Sequence, residues 1–438
     1  MGLTHRVAAI AVASMLALPA LNMGASADST MVDAILAGRP VMDLRARYEN
    51  VDDASKLPLG KAGTLRARLG YETDAWNGLS IQMDFDQIWQ IGGTYNSTRN
   101  DKARYPLIAD PAMTALNRLQ LTYASEFGTK FVVGRQRILI GNSRFIGNSG
   151  WRQHEQTFDA LSALNTSISD LTLNYAYLYR INRVNGPAIP ASSNTIAAVT
   201  GHANYFKSDS HIFDGVYTDI PNLRVEGYAY LLDLSSPSYA TSASQQAATA
   251  KLSTQTYGAR VDYGFRLVGD IGAKLSGEFA NQNRYANNPL SFNLNYYLVE
   301  ASASWRESTA LVGYETLGGD GTIGFSTPLA TLHAFNGWTD MFLTTPSNGL
   351  RDFYLKVGYM LPLIDWGMKS FSPSINYHSF SADHLGAGIG SEWDAQGEVV
   401  VDTNMSFLVK YANYQGSNIA VGGSPDKSIL WLQTVWKY

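Results

Sequence analysis

Hydrophobic and polar residues alternate along the segment Met42–Glu49, whose sequence is MDLRARYE. One set of alternate positions is apolar and the other is almost wholly charged: Met42, Leu44, Ala46 and Tyr48 against Asp43, Arg45, Arg47 and Glu49. A period of two is typical of a β-strand whose two faces meet different surroundings. Both a soluble sandwich and a transmembrane barrel satisfy this pattern, because each has one apolar and one hydrated strand face.

The same alternation recurs along the chain and predicts about 18 strands and no long helix. The predicted strands lie at 41–51, 62–73, 79–91, 116–125, 129–138, 155–164, 170–182, 209–218, 222–232, 253–263, 270–284, 292–306, 308–316, 350–361, 370–380, 391–402, 403–414 and 427–438. No linker or shift in composition divides the chain, so a single domain is expected.

The lengths of the connections favour the barrel over the sandwich. Connections after even-numbered predicted strands are short, as at 74–78 and 126–128, whereas most of those after odd-numbered strands are long, as at 139–154, 183–208 and 317–349. Outer-membrane barrels have this rhythm of short periplasmic turns and long extracellular loops, while Greek-key links would mix the order. We therefore predict an all-β fold, a transmembrane up-and-down antiparallel β-barrel.

The two ends of the chain predict its location. Residues 1–27 have a basic start, an apolar stretch over 7–21 and an A-x-A site at Ala25–Ala27, which is typical of a secretory signal peptide; a buried helix is the alternative. The barrel would then occupy 28–438. The last strand, SILWLQTVWKY, is apolar at alternate positions and ends on Tyr438, which resembles the recognition signal of outer-membrane proteins. A Gram-negative outer membrane is expected, with lipid, lipopolysaccharide and the barrel-assembly machinery as partners.

The composition mainly excludes certain kinds of chemistry and certain partners. The mean hydropathy of −0.13 does not oppose a barrel, because residues facing the lumen dilute those facing lipid. The chain has no cysteine, which excludes disulfides and thiolate chemistry, and its net charge of −4 is too small to indicate nucleic acid. The seven histidines are scattered without ligand spacing, so no metal or other cofactor is predicted.

Two long motifs carry a family resemblance. The stretch at 134–160, GRQRILIGNSRFIGNSGWRQHEQTFDA, resembles the alginate export porin family, and the stretch at 325–354, FSTPLATLHAFNGWTDMFLTTPSNGLRDFY, looks like another segment of that family. The resemblance implies an outer-membrane barrel of 18 strands whose founding members pass an acidic polysaccharide through an arginine-rich pore. It implies a channel rather than an enzyme, but not alginate as the solute. An uptake porin for other small solutes and a secreted β-protein that binds or cleaves polysaccharide are the alternatives.

Arginines are the strongest candidate pore-lining residues. Five lie on the polar faces of predicted strands: Arg45, Arg47, Arg66, Arg68 and Arg118. The guanidinium group offers a fixed fork of donors that matches a carboxylate, which suits an anionic solute or polysaccharide. In the alternative interpretation they pair with acids within the barrel: Asp43, Glu49, Glu72, Asp84 and Asp86. Because Asp43, Glu49 and Glu72 are fewer than the arginines nearby, part of the positive potential is expected to remain open to solute.

Four further arginines follow in and after the fifth strand. Arg135 and Arg137 share a face with apolar residues, so a β-bulge at Gly134 is predicted to turn them into the lumen, as the family's pore signature implies. Arg144 and Arg152 lie in a loop that either folds back as a constriction or stays in solvent. The 317–349 loop has an apolar run at 329–335, which predicts that it packs into the mouth of the barrel.

A catalytic interpretation is weaker. Ser374, Asn376 and His378 share one face of a predicted strand and could suggest a membrane hydrolase. By alternation they face the lumen, whereas a membrane phospholipase needs them on the lipid side.

Overall fold

The structure is a computed structural model. It describes residues 30–56, 58–187, 204–236 and 243–438. The predicted signal peptide and its cleavage site lie outside the described residues.

Strands make up most of the described chain. The sheet contains 20 strand segments, and two pairs of them are single strands interrupted at Asp233 and Met360, so the barrel has 18 strands. Their bounds are β1 Arg39–Asp53, β2 Gly60–Glu72, β3 Leu79–Thr94, β4 Met113–Ala124, β5 Thr129–Gln136, β6 Thr157–Ile168, β7 Leu171–Asn182, β8 Tyr205–Tyr217, β9 Leu223–Leu232 with Leu234–Ser235, β10 Thr254–Arg266, β11 Gly272–Arg284, β12 Asn293–Trp305, β13 Ser308–Leu317, β14 Leu350–Tyr359 with Leu361–Pro362, β15 Ser370–Ser381, β16 Gly388–Val400, β17 Met405–Gly416 and β18 Lys427–Lys437.

In the described residues, the helices are short and lie before the first strand or in the connections between strands. They are α1 Met31–Leu36 and α2 Ala243–Ala250, with 3₁₀ turns at Leu332–Ala334, Ile364–Trp366 and Ile419–Val421. Among the described residues, no helix has both the length and the apolar character needed to cross a membrane.

The sheet closes on itself as an up-and-down barrel. Each strand pairs antiparallel with its neighbours in sequence, and β1 pairs with both β2 and β18, so that Arg47 lies opposite Thr64 on one side and Gln433 on the other. The predicted fold class is confirmed. The largest differences in bounds are four residues: β8 begins at Tyr205 instead of 209, and β6 ends at Ile168 instead of 164.

The two faces of the wall follow the predicted alternation. Leu69 and Met83 point outward and are exposed, whereas Arg68 and Asp84, next to them along the strands, point inward and are buried. Apolar side chains on the outer face of a closed sheet meet hydrocarbon, where no backbone group can be left unpaired. The opening segment Met42–Glu49 follows this rule, since Tyr48 is exposed on the outside and Arg47 is buried inside.

The lumen is filled at the end that carries the long connections. Two of these connections, 137–156 and 318–349, fold inside the barrel and share one apolar core with the wall. Ile138, Phe145 and Ile146 from the first connection and Phe325, Leu329 and Phe342 from the second belong to this core. The prediction that the 317–349 loop packs into the barrel is therefore confirmed, and of the two alternatives for the loop with Arg144 and Arg152 the structure has the inward fold. Long connections mark the extracellular rim of such barrels, so the filled half is the extracellular half.

The predicted bulge at Gly134 is wrong. In the described pairing, β5 has no register shift at this residue, and Arg135 lies opposite Leu119 and Asp159. Gly134 instead has a φ of 113°, and a Cβ there would lie 2.3 Å from the Leu119 carbonyl oxygen, so glycine is required. Arg135 thus stays on the outer face with Val133, where an ion pair with Asp159 at 2.6 Å offsets its charge.

Candidate functional site

The connection 137–156 crosses the lumen from one wall to the other. Near its middle, Phe145 packs against Tyr228 and Tyr296 of β9 and β12. Near its end, Gln153 donates from Nε2 to Thr64 Oγ1 of β2 at 2.9 Å. Because β2 and β9 to β12 lie on opposite sides of an 18-stranded barrel, this segment spans the pore. We call it the crossing loop.

Backbone carbonyls of the crossing loop are held by arginines of β1. Arg45 Nη1 donates to the carbonyl oxygens of Gly150, Trp151 and Arg152 at 3.1–3.2 Å. Arg47 Nη2 donates to the Trp151 carbonyl at 2.6 Å, and the Arg47 guanidinium lies 4.1 Å from the centre of the Trp151 ring. These two predicted pore arginines therefore bind the loop rather than open lumen.

Arg66 of β2 extends this support. Its Nη1 donates to the Gln153 carbonyl at 3.2 Å, and its Nη2 lies 2.5 Å from Asp43 Oδ1. The side chain of Arg66 is almost fully buried. The arginines of β1 and β2 therefore lie next to one another as the sequence predicts, since Arg45 and Arg66 are direct cross-strand partners.

Glu155 is the centre of the strongest anchor. Arg68 Nη1 donates to its Oε1 at 2.7 Å, and Arg137 donates to both of its carboxylate oxygens at 2.6 and 2.8 Å. Asn117 and Asn148 donate to the same carboxylate at 2.9 and 2.6 Å. Burial alone would raise the pKa of Glu155, but the two guanidinium charges and the hydrogen bonds outweigh it and hold the pKa well below its usual value.

Two carboxylates that the alternative interpretation named, Asp84 and Asp86, do pair with the predicted arginines. Arg68 also pairs with Asp86 at 2.7 Å, and Arg118 pairs with Asp84 at 2.8 Å. The expected local shortage of carboxylates is therefore wrong, because β3 and the crossing loop supply them. Pairing within the barrel, the alternative interpretation, describes these arginines better.

Arg144 fastens the crossing loop to the opposite wall. Its Nε donates to Glu315 Oε1 of β13 at 2.6 Å, and its Nη2 donates to Asn336 Oδ1 at 3.0 Å. The guanidinium also lies 4.8 Å from the centre of the Phe335 ring. Since Asn336 and Phe335 belong to the second inward connection, Arg144 joins both loops to one strand.

The connection 318–349, which we call the covering loop, carries a buried polar chain. Lys410 Nζ of β17 donates to His333 Nε2 at 2.8 Å, and His333 Nδ1 donates to Asp340 Oδ1 at 2.7 Å. The same Nζ lies 3.7 Å from the centre of the Trp338 ring and 4.3 Å from that of Trp151. The two indole faces offer the buried amine cation–π contacts.

Arg152 joins this chain to the crossing loop. Its Nη2 lies 3.0 Å from Asp340 Oδ2, and its Nη1 lies 3.3 Å from Glu49 Oε2 of β1. Trp151 stacks on His333 with ring centres 4.5 Å apart. The crossing loop, the covering loop and the wall therefore form one buried unit.

A second set of cations, which the sequence interpretation missed, lies on the inner face of β9 and β11. Arg224 pairs with Glu226 at 2.6 Å, and Lys274 pairs with Asp262 at 3.1 Å. Alternation within the predicted strands at 222–232 and 270–284 places both cations inside and could have found them. Their arginine and lysine heads are more exposed than their acids.

In most ion pairs that contact the solvent of the lumen, the side chain of the cation is more exposed than that of the acid. The side chain of Arg137 is 33% exposed and that of Glu155 is 3% exposed, while Lys274 is 50% and Asp262 12% exposed. Arg118 and Arg224 follow the same rule. Three pairs do the reverse, since Asp43 is more exposed than Arg66, and both Asp262 and Glu300 are more exposed than Arg260. In most of these ion pairs the cation is therefore the partner nearer to the lumen solvent.

The suspected hydrolase residues do not form a catalytic group. His378 Nδ1 lies 2.9 Å from Asp352 Oδ2, and both side chains are buried beneath the covering loop. The predicted lumen-facing position of His378 is confirmed. No group of three or more potential metal ligands occurs in the part of the chain that the structure describes.

Acid is expected to release the two loops. Burial lowers the pKa of His333 from 6.5 to about 3, with Asp340 opposing the shift and Lys410 adding to it. Between these values the unfolded chain binds a proton that the folded chain does not, so the stability of the loop unit falls as the pH falls from 6.5 towards 3. Glu155 acts in the same direction, because its folded pKa is depressed. Thermal unfolding and tryptophan emission measured between pH 7 and 4 check this.

Two histidine variants make this result specific. His333→Gln removes the titrating group and should flatten the pH dependence, whereas His384→Gln, at an exposed position, should leave it unchanged. A wild-type protein equally stable at pH 7 and pH 4 would contradict the assignment of His333.

Comparisons with known proteins identify structures but no sequence family. No family model and no curated protein matches the chain. The structure of Pseudomonas aeruginosa OpdO is similar at a TM-score of 0.67 and 13% identity, covering 93% of this chain and 98% of that protein. Acinetobacter baumannii OccAB2 gives 0.67 and 13%, with 92% and 99% covered. Pseudomonas aeruginosa OpdK, solved with vanillate, gives 0.65 and 12%, with 92% and 99% covered.

At these identities the likeness shows the fold, and it agrees with the closed antiparallel barrel of 18 strands. OpdK is described as an outer membrane protein, and the location predicted from the sequence agrees with that description. None of these three similarities supports alginate export in particular.

Proposed function

We propose that the protein is an outer-membrane porin for the uptake of small solutes, with a preference for anions. The observation that carries the proposal is the exposure of cations in the ion pairs of the inner wall, with Arg118, Arg137, Arg224 and Lys274 nearer to solvent than their acids. A lumen with low-dielectric walls focuses such a potential and raises the local concentration of anions.

The filled extracellular half supports small solutes over polysaccharide. An extended polyuronate would need both the crossing loop and the covering loop to leave the lumen, which would break the Glu155 and Asp340 contacts and expose their apolar core. The vanillate in the OpdK structure is a small carboxylate, and a solute of that class fits a narrow, positive route. Alginate export is therefore the less favoured function.

Ion selectivity tests the proposal. The triple variant Arg118→Gln, Arg224→Gln, Lys274→Gln should shift the reversal potential across a salt gradient towards cation selectivity, because it removes exposed cations that do not hold the crossing loop and leaves their acids. The shift should be largest at low ionic strength, since the Debye length is about 8 Å at physiological salt.

A control variant distinguishes the effect of the exposed cations from that of the buried cations. The variant Arg45→Gln, Arg47→Gln, Arg66→Gln removes the same charge from residues that hold the crossing loop, and should change conductance and stability more than selectivity. A wild-type channel that prefers cations, or an exposed-set variant with the wild-type reversal potential, would contradict the proposal.

A further inference from the structure

The short helix α1 presents an unusual apolar surface. Its apolar side chains are exposed, with Leu36 at 76% and Val32 at 61%, and Met31 and Ile35 are about half exposed. At 3.6 residues per turn these four positions fall within one arc of roughly 140°. Ala34, on the other side of the helix, is buried. The helix therefore turns its apolar face away from the barrel.

The attachment of α1 shows which side of the wall it occupies. Tyr71 donates from its hydroxyl to the Ile35 carbonyl at 2.5 Å, and the Asp74 backbone N–H donates to the Ala34 carbonyl at 3.0 Å. Tyr71 shares the outer, lipid-facing side of β2 with Leu69, two residues earlier along the strand. The helix is thus fastened to the outside of the barrel, at the rim that carries the short turns.

The contact that leads from α1 into β1 is tight. A Cβ at Gly38 would lie 2.7 Å from the Tyr71 ring and 2.5 Å from the Glu72 carbonyl oxygen. Thr30 and Asp33 form a capping box that sets the start of the helix. The orientation of the apolar face on the barrel is therefore determined by the contacts in the second half of the helix and at Gly38.

We propose that α1 lies in the inner leaflet of the outer membrane, with Met31, Val32, Ile35 and Leu36 inserted among phospholipid chains. Phospholipid is the neighbour expected for this apolar face, because the face continues the lipid-facing wall. Exposed Leu69, Ile81 and Met83 lie on the adjoining strands. A helix with one apolar face and a polar opposite face lies in the plane of a membrane interface. Arg39, exposed immediately after the helix and paired with Glu72 at 2.7 Å, lies at the level of the headgroups.

Single cysteines test the proposal, because the chain has none of its own. Full-length Leu36→Cys and Val32→Cys are labelled with an environment-sensitive fluorophore, reconstituted into phosphatidylethanolamine–phosphatidylglycerol vesicles, and quenched either by iodide or by doxyl-labelled lipid. Both sites should be quenched several-fold more by doxyl lipid than by iodide. Doxyl near the headgroup should quench more strongly than doxyl deep in the chain.

Two reference sites calibrate the result. Val299→Cys, on the outer wall, should prefer deep doxyl, and Thr322→Cys, at an exposed position near the start of the covering loop, should prefer iodide. Iodide quenching at Leu36 as strong as at Thr322 would overturn the proposal and identify a face open to the periplasm. Protection from both quenchers would also overturn it, since a protein partner or a second copy would then cover the helix. The result is independent of ion selectivity, so it can fail separately from the porin proposal.

Discussion

Deleting Thr322–Ser347 from the covering loop is expected to raise the single-channel conductance several-fold. The deleted segment contributes Phe325, Leu329 and Phe342 to the core that fills the extracellular half of the lumen. Its removal replaces packed side chains by water over that half of the pore. Planar-bilayer recording of wild-type and deleted protein at the same salt concentration measures the change.

The barrel should tolerate this deletion. The Gly321 backbone N–H donates to the Ser347 carbonyl at 2.9 Å, so the chain ends left by the deletion already lie side by side. The wall strands on either side, β13 and β14, pair along their full length without the loop.

A second variant with Gly-Ser residues of equal length in place of 322–347 separates lost packing from shortening, and should also conduct more. Unchanged conductance in both folded variants would show that the solute route does not pass the covering loop.

Glu155→Gln is expected to cost about 3 kcal/mol of the free energy of unfolding, because it removes the carboxylate shared by the buried guanidinium of Arg68 and the part-exposed guanidinium of Arg137. Arg68 retains Asp86, but Arg137 has Glu155 as the partner within ion-pair distance. The amide also brings two donors into a site where Asn117 and Asn148 already donate. Urea unfolding in lipid vesicles, followed by tryptophan emission, measures the loss.

An exposed carboxylate provides the matched control for this variant. Glu126→Gln lies in the turn after β4 and should change the free energy of unfolding by less than about 0.5 kcal/mol. Equal stabilities of Glu155→Gln and the wild type would show that the carboxylate is not the anchor of the crossing loop.

The wall could be predicted from the sequence because its signal is local. Alternation within MDLRARYE assigns Tyr48 to lipid and Arg47 to the lumen without reference to any other strand, and closure follows from the need to pair every backbone group in lipid. The apolar run at 329–335 likewise predicted a loop that needs burial. Both expectations rest on neighbours along the chain, and both are confirmed.

Asp43, Asp84 and Asp86 could be named from the sequence as arginine partners, but the partners from distant segments could not. Glu155 lies 87 residues from Arg68, and Glu315 lies 171 residues from Arg144. Periodicity says which face a side chain occupies but not which loop folds across it. The bulge predicted at Gly134 failed for a related reason: Asp159 of the neighbouring strand offsets the charge of Arg135 on the outer face, so no change of register is needed.

Swelling of liposomes that contain the wild-type protein tests the central claim most directly. The account predicts that small monocarboxylates the size of vanillate enter faster than neutral solutes of the same size, and that uronate oligosaccharides are excluded. Equal rates for charged and neutral solutes, or rapid entry of the oligosaccharides, would contradict a narrow positive route controlled by the two inward loops.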